Sequence, residues 1–194
     1  MKALDLTHIQ DPIIQSLNLL LTHDITSNVS EHRSLLREKL IEHFNPPLSE
    51  SECKKIKDLS LLPEIKNHSV SLSHSPLASA IAWVKNPYKI GVDVEPQLRV
   101  RDPIILRIAT AEEIKKCPYP HALFTAKEAS WKCLNSYDSI PTISQIETSH
   151  WVEFIENWYS FEVSHNGKHF PGKGFFTDLA GLYLSFYIFD STFV

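Results

Sequence analysis

Glycine is nearly absent from this chain. Five glycines serve 194 residues, and Gly91 is the only one before Gly167; the remaining three are Gly172, Gly174 and Gly181. Loops that cradle a phosphate or a dinucleotide with backbone amides need closely spaced glycines, so such fingerprints are excluded over most of the length. Any chemistry on phosphate must then come from side chains and a metal ion. The length suits one domain or two small halves packed together. A hydrophobic share of 43% is enough to build a sizeable core.

Charge and cysteine narrow the function classes. The formal net charge is −4, which argues against a nucleic-acid binder that relies on a broadly basic surface. Cys53, Cys117 and Cys133 form no CxxC pair, so neither a disulfide framework nor a zinc site is expected, and a reducing cytoplasm is the expected location. The longest apolar run, around Leu19 to Leu21, falls far short of the roughly 20 residues that span a bilayer, and the start lacks a signal-peptide pattern. No membrane association is expected.

Periodicity gives a coarse map. Ile13, Ile14, Leu17, Leu20 and Leu21 recur at helical spacing and predict a helix over Asp11 to Leu21; a second helix is predicted from Glu31 to Phe44, with Leu35, Leu36, Leu40 and Ile41 on one face. Arg33 and Arg37 share a face of that helix, either as a solvated basic surface or around something anionic. Val70 to Val84 reads as a strand, a turn at Ser75-Pro76, and a second apolar strand or buried helix start. Lys89 to Glu95 alternates strictly, with Ile90, Val92 and Val94 on one side and Gly91, Asp93 and Glu95 on the other. Helices are expected over Ile104 to Lys116 and over His121 to Asn135. Aromatics crowd the last stretch, in runs such as Trp158 to Val163 and Leu182 to Phe189, which read as strands joined by turns at Asn166-Gly167 and Pro171-Gly172. The order helix, strands, helix, strands occurs twice and predicts an α+β fold of two similar halves.

The carboxylates carry the sharpest chemical signal. Asp93 and Glu95 emerge on the same face of one strand, about 6–7 Å apart at the backbone. Two carboxylates that close are costly unless a cation joins them or one takes up a proton. Glu128, on the Ala-rich helix, could add a third oxygen, and such a set without His or Cys suits a hard divalent ion such as Mg²⁺. The alternative is the solvated outer face of an edge strand, with Glu128 paired to Lys132 one helical turn on. Among ten histidines there is no HExxH; His74, between Ser73 and Ser75, is suited to donate to an anionic ligand or to serve as a turn residue. A Ser–His hydrolase is disfavoured, because there is no GxSxG elbow and adjacent residues on a strand point to opposite faces.

Taken together, Ile90-Gly91-Val92-Asp93-Val94-Glu95, Phe124-Thr125-Ala126-Lys127-Glu128-Ala129-Ser130-Trp131-Lys132 and the upstream Ser71-Leu72-Ser73-His74-Ser75 resemble, in order, the signature motifs of the 4′-phosphopantetheinyl transferases. The Ser-His-Ser segment and the length resemble the longer, surfactin-synthetase-activating single-chain type. The resemblance implies an α+β fold of two similar halves in a pseudo-twofold arrangement. Residues 1–98 would carry the basic helix, the Ser-His-Ser segment and the metal strand. Residues 99–194 would carry the Lys-Glu helix and the aromatic strands. It further implies transfer of the 4′-phosphopantetheine group of coenzyme A, the co-substrate, to a serine of an apo acyl or peptidyl carrier protein, releasing adenosine 3′,5′-bisphosphate. Asp93, Glu95 and Glu128 would hold Mg²⁺; Glu128 would also take the serine proton, with Lys132 as the second catalytic group. Arg33, Arg37, Ser73, His74, Lys127 and Lys132 would hold coenzyme A. Gly91 would leave room for metal and pyrophosphate. A monomeric cytoplasmic enzyme is expected. A module that binds coenzyme A without transfer and a different metal-dependent phosphoryl-transfer enzyme stay open as alternatives.

Overall fold

Two antiparallel sheets lie face to face, each covered on its outer side by helices. The architecture is a computed structural model that describes residues 2–3, 17–23, 29–44, 47–57, 65–135 and 138–193. The first sheet has the order β1-β2-β4-β3, built from β1 (Lys2–Ala3), β2 (Asn18–His23), β3 (His68–His74) and β4 (Ala78–Lys85). Helices α1 (Val29–His43) and α2 (Glu50–Lys57) fall between β2 and β3. The second sheet has the order β5-β10-β9-β7-β6. Its strands are β5 (Tyr88–Pro96), β6 (Ile146–Ile155), β7 (Trp158–His165), β9 (Gly172–Leu179) and β10 (Leu182–Asp190), with a short β8 (Lys168–His169) against β7. Helices α3 (Asp102–Ile108), α4 (Ala111–Lys116) and α5 (Ala122–Leu134) connect β5 to β6. Each half follows one rule: the strand before the helices pairs with the last strand after them, β2 with β4 and β5 with β10. The α+β class expected from the sequence is present. The strand β5, assigned above to the 1–98 half, is hydrogen-bonded into the second sheet.

Period-two alternation explains the layers. On β5, Ile90, Val92 and Val94 enter the core between the sheets, with Leu19 and Leu21 of β2, Ala80 and Ala82 of β4, and Leu184 and Phe186 of β10. Leu20 of β2, and Ile81 and Trp83 of β4, instead pack with Leu36 and Leu40 under α1. The expected helix over Asp11 to Leu21 is corrected here. Residues 18–23 form β2, and residues 11–16 lie outside the described residues. Because both faces of β2 are covered, its run is apolar without alternation, and a short run of that kind mimics helical spacing.

Local chemistry sets the remaining boundaries. The helix expected from Ile104 to Lys116 is two, because Thr110 caps a new start. Its hydroxyl accepts from the Glu113 amide while the Glu113 carboxylate accepts from the Thr110 amide. Asn166 and Gly167 both have positive φ, 51° and 75°, as a tight hairpin between β7 and β8 requires. The seam between the sheets is less usual. Edge strands β3 and β5 touch, and Ser69, Ser71 and Ser73 accept the amides of Ile90, Val92 and Val94 at 3.2, 3.0 and 3.3 Å. The constant offset means that β3 and β5 run parallel, joined by hydroxyls along one face of β3.

Candidate functional site

The polar face of β5 is closed over by α5. A Cβ built on Gly91 would run into the Ala129 carbonyl and sit 2.7 Å from the Cys133 amide, so the strand and helix backbones can meet only because this residue has no side chain. Gly91 was expected to leave room for metal and pyrophosphate; the room is taken by α5 itself. A second tie, Thr125 Oγ1 to Ser185 Oγ at 2.8 Å, joins α5 to β10, and Ser185 is the register partner of Asp93. The next two positions on that face of β5 are thereby placed beside Glu128 and Lys132.

Asp93 is 4% exposed and Glu95 9% exposed, so the solvated-face alternative does not hold. Asp93 Oδ1 accepts from Ser73 Oγ at 2.6 Å and from Lys132 Nζ at 2.7 Å, and the same ammonium donates to the Val92 carbonyl at 3.2 Å. Asp93 Oδ2 is buried and has no hydrogen-bond partner among the described residues. Glu95 is met by Arg99 Nη1, which donates to both carboxylate oxygens at 3.2 and 3.1 Å. Glu128 sits half-buried on α5.

Glu95 and Glu128 both feel the charge of Asp93. Burial, followed by the charge of Asp93, pushes Glu95 up to about 7, against the pull of Arg99 and Lys132. Burial and then Asp93 also raise Glu128, opposed by Lys132. Two acidic groups partly removed from water beside Asp93 hold their protons more tightly than usual, the response expected where carboxylates crowd one another.

Asp93, Glu95, Glu128, Lys132 and Ser73 are brought together; the other expected ligand residues are placed differently. Lys127 is corrected: it is 0% exposed, and its Nζ donates to the Ile108 and Ile146 carbonyls at 2.9 and 2.6 Å and pairs with Glu113 at 2.8 Å. Burial draws its pKa down while Glu113 holds it up. It ties α3, α4, α5 and β6 together and presents nothing to a phosphate. Arg37 is 7% exposed and donates to the Lys57 carbonyl at the end of α2 at 3.2 Å, helping to close the α1–α2 pair. Arg33 lies in α1, and its side chain is outside the described residues. Ser73 is 3% exposed and turned to Asp93 rather than outward, whereas His74 is exposed at the end of β3. Arg99 was missed. Its i,i+4 spacing from Glu95 was visible, but the turn Gln97–Arg99 that folds the guanidinium back was not anticipated.

The donor set suits a hard divalent ion in kind, since it consists of carboxylate oxygens, one of them buried and unpartnered. As the side chains stand, no three His, Cys, Asp or Glu among the described residues are grouped tightly enough to hold an ion, and Arg99 and Lys132 engage two of the carboxylates. No helix among the described residues is long and apolar enough to cross a membrane. The chain matches no protein-family model and no curated protein.

Proposed function

We propose that the chain is a Mg²⁺-dependent 4′-phosphopantetheinyl transferase of the single-chain type, with coenzyme A as donor and a serine of an apo acyl or peptidyl carrier protein as acceptor. The observation that carries this reading is the unpartnered, buried Oδ2 of Asp93, set where its charge reaches Glu95 and Glu128. The ordered motifs described above support it, as does the pairing shared by the two sheets, in which the strand before the helices meets the last strand after them.

Mg²⁺ held by Asp93, Glu95 and Glu128 would neutralise charge on the pyrophosphate of coenzyme A. Glu128 is the most exposed of the three carboxylates, and its raised proton affinity suits it to take the proton of the carrier serine. The serine oxygen forms a bond to the phosphorus at the pantetheine end, the bond from that phosphorus to the bridging oxygen breaks, and adenosine 3′,5′-bisphosphate leaves. Lys132, with 23% of its side chain exposed, can serve both Asp93 and a phosphate oxygen. Arg99, which is more than half exposed, adds positive charge at the rim. His74 stands at the same end of β3 as Ser73.

The test is incubation with apo carrier, coenzyme A and Mg²⁺, read by the intact mass of the carrier. A gain of one phosphopantetheine group is expected, and no gain on several unrelated carriers would overturn the proposal. A second reading, a module that binds coenzyme A without transfer, is favoured by one observation: Lys132 and Arg99 already neutralise two of the carboxylates. It predicts coenzyme A binding that is indifferent to Mg²⁺ and an unchanged carrier mass.

A further inference from the structure

We infer that Ser73 is a positioning residue: it fixes the Asp93 carboxylate so that Oδ2 is the oxygen offered to the cation. This rests on the reading of Asp93 as a Mg²⁺ ligand. Ser69, Ser71 and Ser73 alternate along β3 and share one face, and each accepts an amide of β5. Among the described residues, only Ser73 does more. Its hydroxyl proton goes to Asp93 Oδ1 at 2.6 Å, and Lys132 takes up the same oxygen at 2.7 Å. Both donors therefore saturate one carboxylate oxygen and leave the other bare. With Asp93 4% exposed, water cannot readily do the same job. A donor that holds a ligand's second oxygen fixes the ligand's orientation and tunes its affinity for metal. Ser73 was expected from the motif to contact coenzyme A; at 3% exposure, with its hydroxyl committed to Asp93, it acts through the metal ligand instead.

The seam supplies its own control. Ser71 is 2% exposed and accepts the Val92 amide at 3.0 Å, so Ser71→Ala and Ser73→Ala each remove one hydroxyl from the same seam and orphan one β5 amide. Only Ser73→Ala also strips Asp93. Mg²⁺ binding to the full chain is measured by calorimetric titration, without carrier or coenzyme A. Ser73→Ala is expected to weaken Mg²⁺ binding by about tenfold or more, while Ser71→Ala stays within about twofold of the unmodified protein, since it contacts no metal ligand. Equal weakening by both, or none by Ser73→Ala, would overturn the inference. If Ser73→Ala does not fold, Ser73→Cys against Ser71→Cys is judged by the same criterion, because a thiol is a weaker donor of similar size. If the unmodified chain itself binds no Mg²⁺, the reading of Asp93 as a metal ligand fails and takes this inference with it. Tight binding by both Ser73→Ala and the unmodified chain sinks the inference alone.

Discussion

Glu95 carries a proton affinity that only its neighbours explain. Its carboxyl is lifted from 4.5 to about 7 by burial first and by Asp93 second, with Arg99 opposing. Between those two pH values the folded chain binds more of this proton than the unfolded chain does, so the group's contribution to stability falls as pH rises through the window. The cost is fully present above about pH 7 and gone below 4.5. Melting in the absence of divalent ions should therefore show a rise in Tm from pH 8 to pH 5.5 that Glu95→Gln diminishes. An identical slope in both proteins would show that Glu95 is not strained. Lys127 makes a separate point at the same scale. Removing one partner of a buried pair leaves the other charge uncompensated, so Lys127→Met should cost about 3 kcal/mol in urea unfolding, and adding Glu113→Gln should recover part of it. Coenzyme A affinity of the Lys127→Met fraction that folds should be unchanged. Lost affinity at unchanged stability would return Lys127 to the phosphate site.

At the level of elements, β5 and α5 form one functional unit held by Gly91. The close approach of the two backbones makes Gly91→Val an insertion of a side chain against the Ala129 carbonyl and Cys133 amide. Overpacking of that kind costs about 1–3 kcal/mol or more, and the helix that bears Glu128 and Lys132 must shift. Stability and the site should thus fail together, read by denaturant unfolding beside carrier modification. A stable Gly91→Val protein without activity would restore the earlier view that the glycine spares space for a ligand. Much of this unit was legible in the sequence: the strict alternation from Ile90 to Glu95 and the helix formers around Glu128 predict both elements and pair Asp93 with Glu95, and the resemblance implies that Glu128 joins them. Its burial was not legible, because alternation shows which residues share a face and not whether a helix covers that face. Lys127 was misread for a related reason: its partner Glu113 belongs to α4, and the covering strand β6 was not foreseen. The capping pair Thr110 and Glu113 that divides α3 from α4 was in the sequence and unread. Strand β2 was hidden by being apolar on both sides.

Across the whole molecule, a four-stranded and a six-stranded sheet meet along a face of aliphatic and aromatic side chains and along a row of serine hydroxyls. The carboxylate centre lies at that junction, with Asp93 from β5, Ser73 from the first sheet's edge, and Glu128 and Lys132 from α5. A divalent ion that binds the folded chain and not the unfolded one should raise Tm in proportion to the logarithm of its concentration above Kd, and Asp93→Ala should abolish that rise. A melt indifferent to Mg²⁺ in the unmodified chain would count against a metal centre at the junction.

If these carboxylates form a metal centre that moves phosphopantetheine, the mass of an apo carrier protein after incubation with coenzyme A and Mg²⁺ reveals it, using the unmodified chain beside Glu128→Gln. One added phosphopantetheine group is expected with the unmodified chain and at least a hundredfold slower transfer with Glu128→Gln, the scale of lost general-base catalysis at roughly 10²–10⁴, while coenzyme A still binds. Full transfer by Glu128→Gln, or no transfer by the unmodified chain to any of several carriers, would contradict it.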